Sequence, residues 1–372
     1  MSRRRIRVGV IFGGRSGEHD VSLRSAQAIM RAMDRNRFEV VPIGITREGR
    51  WLVGPDPLRE LAGTSRLALE GGGGEPASSE AADHSLTARA DAPLDVADAG
   101  WVRDLDVVFP ALHGPMGEDG TIQGMFELAD VPYVGAGVLA SSVAMDKVTA
   151  KRLFQQAGLP VDPAWFSVTR REWLRHPEQV AGRIEREIGY PCFVKPVNMG
   201  SSVGVTKVHH PGELEAGMTE AGRHDRRILV ERGMDVRELE VSVLGNEDPI
   251  TSVVGEIVPS REFYDYEAKY VDDDSELLVP APISEEQTAA VRRAAREAFL
   301  LLDCAGLARV DFFLERPTGR VYLNEVNTIP GFTRISMYPR LWEASGLSFQ
   351  DLVTRLVELA VERHTDRHGG AA

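Results

Sequence analysis

The residues best suited to chemistry lie on two strand-like segments in the C-terminal third of the chain. Arg309 and Asp311 alternate along one segment, and Glu325 and Asn327 alternate along the next. Because side chains two residues apart point to the same face of a strand, each pair shares a face. Oxygen ligands such as Asp311, Glu325 and Asn327 suit Mg²⁺, so pairing of the two strands would create a magnesium site. The alternative is a face that is simply solvated.

A lysine followed by a glycine- and serine-rich loop precedes this region. Lys195 ends an apolar run, and the loop after it contains Ser201, Ser202 and Gly204. Backbone N–H groups and hydroxyls of such a loop can surround phosphate oxygens while the lysine offsets their charge. An ordinary hairpin could have the same composition, but the oxygen ligands downstream favour a phosphate loop.

Other motifs in the chain are weaker. The run from Gly200 to Gly204 matches the nucleophile elbow of serine hydrolases, with Ser202 as nucleophile, but the following VGVTKV indicates a strand where that elbow needs a helix. The run from Gly135 to Ala140 matches a dinucleotide-binding pattern, yet no acidic residue follows at the distance needed to bind a ribose. A tight turn before a helix is therefore favoured there. The chain contains no P-loop and no H-E-x-x-H zinc motif.

The elements that would position these residues fall into three predicted domains. Residues 1–144 alternate strands and helices, as a parallel α/β domain does, with a glycine-, alanine- and serine-rich surface insertion at about 71–100. Residues 145–232 form a smaller α+β unit, and residues 233–372 contain long strands that suggest an antiparallel sheet covered by helices.

The individual elements follow from apolar periodicity and from glycine and proline positions. The predicted strands cover 6–12, 38–46, 106–112, CFVKPV, SVGVTKV, RILVE, ELEVSVLG, ITSVVGEIV, LARVDFFLE and RVYLNEVN. The predicted helices cover 20–33, 121–129, 145–158, 170–188, 211–222, 284–302 and 348–363.

The composition excludes several classes of protein. The 372 residues carry a net charge of −13, whereas a general nucleic-acid or anionic-membrane binder needs a basic surface. The two cysteines, Cys192 and Cys304, lie in apolar runs, which excludes a disulfide framework and predicts buried free thiols. No apolar run is long enough for a membrane span or, near the N-terminus, for a signal peptide. The expected location is cytoplasmic, with no nucleic-acid or membrane partner.

Five segments of the chain together resemble the D-alanine–D-alanine ligase family of the ATP-grasp superfamily. They are FGGRSGEHDVS at 12–22, HGPMGEDGTIQG at 113–124, MDK at 145–147, YDYEAKY at 264–270 and NEVNTIPGFT at 324–333. The resemblance spans about residues 6 to 360 in the family order. It implies an α/β ATP-grasp fold, in which a parallel α/β N-terminal domain is followed by two α+β domains that clamp ATP.

The resemblance assigns the nucleotide and metal sites residue by residue. Lys147 and Lys195 match residues that contact the ATP phosphates, and the loop with Ser201 and Ser202 would close over them. The other positions matched to ATP are Glu231 near the adenine, Glu238 at the ribose, and Lys269, Asn324 and Glu325. The positions matched to ligands of two Mg²⁺ ions, with Mn²⁺ as a possible substitute, are Asp311, Glu325 and Asn327. The adenine contacts at Arg232-Gly233 stay open, because the family varies there.

The resemblance also assigns the amino-acid substrates. Glu18 matches the residue that binds the ammonium of the first D-alanine, in a hydrogen-bonded triad with Ser201 and Tyr270. Ser336 and Lys269 match the groups that hold the carboxylate of the second D-alanine.

The implied reaction is the ADP-forming ligation of two D-alanines to D-alanyl-D-alanine for peptidoglycan synthesis. The first carboxylate attacks the γ-phosphate of ATP and forms an acyl phosphate, while Mg²⁺ and the lysines offset the charge. The neutral amine of the second D-alanine then attacks, forming an oxyanion that Arg309 and the Gly331 N–H would stabilise. His113 matches a residue close to the second substrate, and whether it acts as a base stays open.

Simpler alternatives accompany these assignments. Glu18 could merely charge a helix N-terminus, where Asp20 could also cap, His113 could stabilise a loop, and Tyr270 could pack beneath one. For the whole chain, the nearest alternative is a sister ligase with D-lactate or D-serine as second substrate. Two more distant alternatives are a non-catalytic nucleotide-binding relative and a serine hydrolase that uses Ser202. Dimers are frequent in the family, so a homodimer is possible, although the sequence identifies no interface.

Tyr270 offers a test of the second substrate. Related ligases that make D-alanyl-D-lactate typically have Phe at this position, and the surrounding segment 258–280 is expected to close over the site and exclude water. We expect Tyr270→Phe to raise ester formation relative to dipeptide formation when D-lactate competes with D-alanine, as measured by chromatography of the products. An unchanged product ratio would contradict the assignment.

Overall fold

The computed structural model describes residues 4–54, 56–63, 102, 104–259 and 276–369. The predicted insertion at 71–100 lies outside the described residues, as do Lys269, Tyr270 and most of the predicted closing segment. All statements below concern the described part of the chain.

The elements are numbered along the chain. The strands are β1 (Ile6–Gly13), β2 (Phe38–Ile45), β3 (Trp51–Val53), β4 (Val107–Ala111), β5 (Trp165–Thr169), β6 (Cys192–Pro196), β7 (Thr206–Val208), β8 (Arg227–Arg232), β9 (Val236–Gly245), β10 (Ile250–Val258), β11 (Glu276–Leu278), β12 (Gly306–Glu315) and β13 (Val321–Asn327). The helices are α1 (His19–Ala32), α2 (Pro57–Ala62), α3 (Thr121–Leu128), α4 (Val138–Met145), α5 (Lys147–Gln156), α6 (Arg170–Arg175), α7 (Pro177–Glu187), α8 (Leu214–His224), α9 (Glu285–Leu301), α10 (Met337–Ala344) and α11 (Phe349–Arg367).

Contacts between residues divide the chain into two compact units. One unit contains Met1–Gly135 with Ile329–Ala372, and the other contains Ala136–Thr328. The C-terminal helices therefore group with the N-terminal residues, because α11 packs against α1 and β4. The sequence analysis places these helices in the last predicted domain, 233–372.

The first unit is built on a four-stranded sheet in the order β3-β2-β1-β4. β1 pairs in parallel with both β2 and β4, which confirms the parallel α/β prediction, while the short β3 joins the edge in an antiparallel sense. β1 is nearly continuously apolar, as expected of a strand covered on both faces. Ile11, Val108, Phe126 and Tyr133 are among the residues of the core beneath this sheet.

The second unit contains two antiparallel sheets. One has the order β5-β8-β6-β7, and the other has the order β11-β10-β9-β12-β13. The predicted antiparallel sheet is therefore confirmed, and β9 and β12 pair along their full length. α9 covers one face of this sheet, where Val241, Phe299, Val310 and Val326 are buried together.

Three predicted elements differ from the structure for local reasons. The helix predicted over 145–158 begins at Lys147 as α5, because Asp146 has an extended backbone and its side chain caps the Thr149 N–H at 2.8 Å; the preceding α4 ends at Met145. The helix predicted over 170–188 is divided before Pro177, because proline has no N–H to continue the helical hydrogen bonds. The strand predicted over 202–208 shortens to β7, because Ser201 and Ser202 have positive φ.

Two predictions from the composition concern membrane spans and the cysteines. No helix of the described residues has the length and apolar character needed to cross a bilayer. Cys192 and Cys304 are buried free thiols, as predicted. Burial raises the pKa of Cys192 to about 11 and, together with the charge of Asp303, that of Cys304 to about 12, so both thiols are poor nucleophiles at neutral pH.

Candidate active site

The paired strands β12 and β13 place the predicted metal ligands side by side. Asp311 lies opposite Glu325, and Arg309 lies opposite Asn327. The intervening Val310 faces the hydrophobic core, so the charged residues share the other face. The side chains of Arg309 and Asp311 are only 15% and 12% exposed, which rules out a simply solvated face.

Arg309 is held between two carboxylates. Its Nε and Nη2 atoms donate to the two carboxylate oxygens of Asp311 at 2.7 Å each, and its Nε also lies 3.1 Å from Glu240. Burial alone would lower the pKa of Arg309, but the charges of Asp311 and Glu240 outweigh it and raise the pKa further. The guanidinium therefore remains charged in a site with little water.

Glu240 was not among the sequence-predicted site residues. It lies on β9 opposite Asp311, and its side chain shares a face with Glu238, two residues earlier. The alternating run ELEVSVLG contains this signal, since a strand that places Glu238 at the site also places Glu240 there.

Two residues predicted to bind the nucleotide also lie on these strands. Glu238 is half-buried opposite Phe313, and Asn324 lies in β13 beside a register shift. The nucleotide-binding roles of Glu238 and Asn324 stay predictions.

Lys147 links the phosphate-loop candidate to β13. Its Nζ atom donates to the carbonyl of Met199 at 2.9 Å and lies 3.3 Å from the Glu325 carboxylate. The backbone N–H of Lys147 also donates to the Val197 carbonyl at 3.2 Å. The lysine is therefore fixed at both its backbone and its ammonium group, beside a predicted metal ligand.

The loop after Lys195 has an unusual backbone. Ser201 and Ser202 have φ values of 48° and 58°, and Gly204 has a φ of 72°. Residues other than glycine rarely have a positive φ, and such strained positions cluster at ligand-binding sites. The chain continues into β7 rather than into a helix, so the geometry of a nucleophile elbow around Ser202 is absent from this segment.

Lys195 contacts Glu231, which is also approached by a second lysine. Lys195 and Glu231 form an ion pair, and Lys151 lies 3.3 Å from the other Glu231 oxygen. Burial would raise the pKa of Glu231, but the charges of Lys151 and Lys195 outweigh it and lower the pKa to about 2. Sequence reasoning missed Lys151, although its position four residues after Lys147 on α5 puts both lysines on one helix face.

Glu18 occupies a buried position before α1 in the first unit. Its N–H donates to the Ser16 hydroxyl at 3.2 Å, and that hydroxyl donates to the His113 carbonyl at 2.6 Å. Gly114 has a φ of 76°, and a Cβ there would lie 2.7 Å from a Glu18 carboxylate oxygen. The positive φ favours glycine at this position, and the absence of a side chain leaves room for the Glu18 carboxylate. The alternative cap, Asp20, instead accepts a hydrogen bond from Arg47 at 2.7 Å.

His113 is buried, and both of its ring nitrogens are engaged. Nε2 lies 2.9 Å from the Ser25 hydroxyl, and Nδ1 lies 2.9 Å from the Ile329 carbonyl. Burial opposes the charged ring, but the hydrogen bond and charge of Glu118, with the charge of Glu18, outweigh it and raise the pKa of His113. This environment agrees with the alternative of a histidine that holds loops in place.

Gly331 and Ser336 lie in one turn of the first unit. A Cβ at Gly331 would lie 3.1 Å from the Ser336 hydroxyl oxygen, so the two residues are in close contact. The same hydroxyl accepts a hydrogen bond from the Thr333 N–H at 3.1 Å. Ser336 immediately precedes α10, a helix that the sequence analysis did not predict.

The residues on β12 and β13 fit a hard divalent cation. Asp311 and Glu325 contribute carboxylates and Asn327 contributes an amide oxygen, and their positions are in register. Such an oxygen set suits Mg²⁺ rather than a soft transition metal. Arg309 and Lys147 pair with these carboxylates in the structure, so the ligands are already ordered.

The Lys151–Glu231–Lys195 cluster yields a stability prediction. We expect Glu231→Gln to lower the free energy of unfolding at pH 7 by about 3–5 kcal/mol, because it leaves two largely buried lysines without their carboxylate. Since the folded-state pKa of Glu231 is lowered to about 2, its stabilising contribution is present above the ordinary value of 4.5 and is lost as pH falls toward 2. Urea denaturation at several pH values measures both effects.

The matched control is Glu187→Gln, which removes an exposed carboxylate from its i,i+4 pair with Arg183. We expect that change to cost less than about 1 kcal/mol. Equal losses in the two variants, or a Glu231→Gln loss that does not shrink in acid, would contradict the buried-cluster interpretation.

Comparisons with known proteins give one consistent family. The family model for the D-ala D-ala ligase N-terminus matches residues 7–136, and that for the D-ala D-ala ligase C-terminus matches residues 153–358. The chain is 49% identical over 361 residues to a D-alanine–D-alanine ligase of Geobacillus kaustophilus, covering 97% of this chain and 96% of the relative. It is 50% identical over 362 residues to one of Thermoanaerobacter sp., covering 97% and 98%.

Solved structures agree with the sequence relatives. The D-alanine-D-alanine ligase from Coxiella burnetii is 34% identical with a TM-score of 0.79, covering 99% of this chain and 97% of that chain. The VanG D-Ala:D-Ser ligase from Enterococcus faecalis is 36% identical with the same TM-score of 0.79, covering 96% and 100%. These matches confirm the ATP-grasp fold and the resemblance drawn from the motifs. The chain belongs to the D-alanine–D-alanine ligase family.

Proposed function

We propose that this chain is an ATP-dependent ligase that joins two D-alanines to D-alanyl-D-alanine for peptidoglycan synthesis. The observation that carries the proposal is the cluster of Arg309, Asp311, Glu325 and Lys147 on paired strands and the adjoining helix. This cluster combines oxygen ligands for a cation with positive charge for phosphates, which phosphoryl transfer requires.

The nucleotide would be held by residues of the second unit. Lys147 and Lys195 neutralise phosphate charge, and the Ser201-Ser202 loop supplies hydroxyls and N–H groups. Glu231 and Glu238 bind at the adenine and ribose ends, with Asn324 and Lys269 as further contacts. The position of Lys147 between the Met199 carbonyl and Glu325 supports the phosphate assignment.

Asp311, Glu325 and Asn327 would hold two Mg²⁺ ions, for which Mn²⁺ could substitute. When bound, these ions would offset the negative charge that gathers on the transferred phosphoryl group. Arg309, fixed by Glu240 and Asp311, keeps a positive charge in place throughout the reaction.

The ligation proceeds in two steps. A carboxylate oxygen of the first D-alanine attacks the γ-phosphorus, the bond to the ADP oxygen breaks, and an acyl phosphate forms. The neutral amine of the second D-alanine then attacks the acyl carbon, phosphate leaves, and the amine loses a proton. Arg309 and the Gly331 N–H stabilise the intervening oxyanion. Excluding water protects the acyl phosphate from hydrolysis.

The amino-acid substrates are assigned residue by residue from the family resemblance. Glu18 would bind the ammonium of the first D-alanine, because its carboxylate is buried and held next to Gly114. Ser336 and Lys269 would hold the carboxylate of the second D-alanine, close to His113. A homodimer is proposed only by analogy with the family.

A second candidate is a ligase with another second substrate, D-serine or D-lactate. The similarity to the VanG D-Ala:D-Ser ligase, at 36% identity, is the observation that keeps it open. A serine hydrolase is disfavoured by the backbone that follows Ser202.

One experiment separates these candidates. The purified chain is incubated with ATP, Mg²⁺ and D-alanine, alone or with equal D-serine or D-lactate, and phosphate and products are quantified together. Equimolar phosphate and D-alanyl-D-alanine, with little mixed product, support the proposal. A dominant mixed product supports the sister ligase, and phosphonate labelling of Ser202 without ATP use supports the hydrolase.

Asn327 tests the metal assignment. We expect Asn327→Ala to lower Mg²⁺-dependent turnover at least tenfold, equivalent to about 1.4 kcal/mol, because one oxygen ligand is lost. Raising the Mg²⁺ concentration should restore part of the activity. The control is Asn36→Ala, which truncates an exposed asparagine in the first unit and should leave turnover unchanged. Wild-type kinetics for Asn327→Ala would refute the assignment.

A further inference from the structure

Two histidines and an aspartate form a cluster that the proposed reaction does not use. His364 and His368 are one turn apart at the C-terminal end of α11, and Asp130 follows α3 in the same unit. Within the described ranges, these residues are the set of three His, Cys, Asp or Glu side chains whose donor atoms all lie within 4.8 Å of one another.

Both histidine–aspartate distances in this cluster are close to those between two ligands of one metal ion. The Nε2 atoms of His364 and His368 each lie 3.1 Å from the same Asp130 oxygen, and the two rings are 4.4 Å apart. Tetrahedral Zn²⁺ with bonds near 2.0–2.1 Å has ligand atoms separated by about 3.3 Å. Little movement would be needed to admit an ion.

The hydrogen bonds of the His368 ring also suit a metal ligand. Nδ1 of His368 lies 2.8 Å from the carbonyl oxygen of His364, which can only accept, so Nδ1 carries the proton. Nε2 faces the Asp130 oxygen, which is also an acceptor, so this pair needs a positive charge between its two atoms, either a proton or a metal cation. Metal-binding histidines commonly have this arrangement, with the second ring nitrogen donating to a carbonyl.

The two neighbouring arginines are held by other partners, and a carboxylate offsets the charge of Arg367. Arg367 forms an ion pair with Glu127, and Arg363 stacks over the Tyr133 ring at 4.3 Å. Arg363 also donates to the Gly135 carbonyl at 2.5 Å. These contacts hold the end of α11 against the segment that contains Asp130.

We propose that Asp130, His364 and His368 bind one divalent transition-metal ion, with water completing the coordination. Two imidazoles and one carboxylate select Zn²⁺, Ni²⁺ or Cu²⁺ over Mg²⁺, so the site is chemically distinct from the oxygen ligands on β12 and β13. The ion would tether the last turn of α11 to the end of α3.

The test uses Zn²⁺ with the chelator-treated full chain in excess Mg²⁺, which fills sites built only from oxygen ligands. Calorimetry should show one more equivalent of Zn²⁺ bound by the wild type than by the His364→Ala/His368→Ala variant. Asp130→Asn, a nearly isosteric change, should weaken binding at least tenfold. Zn²⁺ should raise the melting temperature of the wild type but not of the double variant, because binding stabilises the folded state.

The matched control is His224→Ala. His224 also lies at the end of a helix, with its Nε2 atom 3.0 Å from Glu220, but the pair offers a single histidine. This variant should bind Zn²⁺ like the wild type, and ligase turnover should be unchanged in the cluster variants. Equal Zn²⁺ stoichiometry in the wild type and the double variant, or undiminished affinity in Asp130→Asn, would overturn the proposal.

A second observation concerns the buried pair Ser25 and His113. The Ser25 hydroxyl oxygen accepts a hydrogen bond from the Phe332 N–H at 3.2 Å and lies 2.9 Å from His113 Nε2. His113 Nδ1 lies 2.9 Å from the Ile329 carbonyl, which can only accept, so Nδ1 donates. The pair therefore holds the backbone on both sides of Gly331.

We infer that Ser25 and His113 are positioning residues for the Gly331 N–H, an inference that rests on the proposed oxyanion role of Gly331. Oxyanion donors act through fixed geometry, and loss of such geometry impairs the step in which the oxyanion forms. That step is the amine attack, and the acyl phosphate forms before it.

Ser25→Ala tests this inference by separating the two steps. We expect kcat for dipeptide formation to fall at least tenfold with KM values within about twofold, while isotope exchange within ATP, which reports acyl-phosphate formation, continues. His113→Gln, whose amide can still donate to Ile329, should retain more activity than His113→Ala.

Ser22→Ala is the matched control. Ser22 is equally buried on α1, but its hydroxyl bonds Gly13 and Ala111 rather than the Gly331 turn. Ser22→Ala should lose about as much stability as Ser25→Ala but keep the wild-type kcat for dipeptide formation. A wild-type chain that makes no dipeptide would defeat the proposed function itself. An active wild type with Ser25→Ala at full kcat, or with both steps slowed equally, would defeat only this inference.

Discussion

The burial of charge on one face of an otherwise apolar sheet is the constraint around which the second unit is organised. One face of β9, β12 and β13 packs on a hydrophobic core, so the residues that alternate with that core carry charges into a site with little water. Glu240, Arg309 and Asp311 satisfy one another there. An unpaired buried charge costs several kcal/mol, so both carboxylates depend on Arg309 and Arg309 depends on them.

The same requirement explains the ion pairs formed by the lysines of the site. Lys147 contacts Glu325, and Lys151 and Lys195 contact Glu231. Phosphates and divalent cations carry the charges that could replace these partners, so binding would exchange one set of ion pairs for another. Side chains that are already ordered need little reorganisation when charge develops in a reaction, which is the condition for electrostatic catalysis.

Backbone placement, rather than charge pairing, dominates the first unit. Gly114 admits the Glu18 carboxylate, and buried hydroxyls and the His113 ring hold loop carbonyls and N–H groups. A raised His113 pKa fits this role, since the Glu118 and Glu18 carboxylates outweigh the effect of burial. A histidine with both ring nitrogens engaged is better suited to orienting loops than to moving a proton.

The sequence by itself determined features that depend on near neighbours. Alternation put Arg309 with Asp311 and Glu325 with Asn327 on shared faces, and the motifs identified the family, because both are properties of short segments. Periodicity put Glu240 and Lys151 on the correct faces, but the partners of Lys151, Glu240 and Ser25 are distant in sequence and were not predicted. Nor could periodicity show that Asp146 ends one helix and caps the next. Only the tertiary structure decided which charged side chains form pairs. The two-residue period of a strand determines the face on which a side chain lies, but sheet register and helix packing determine which residue it contacts.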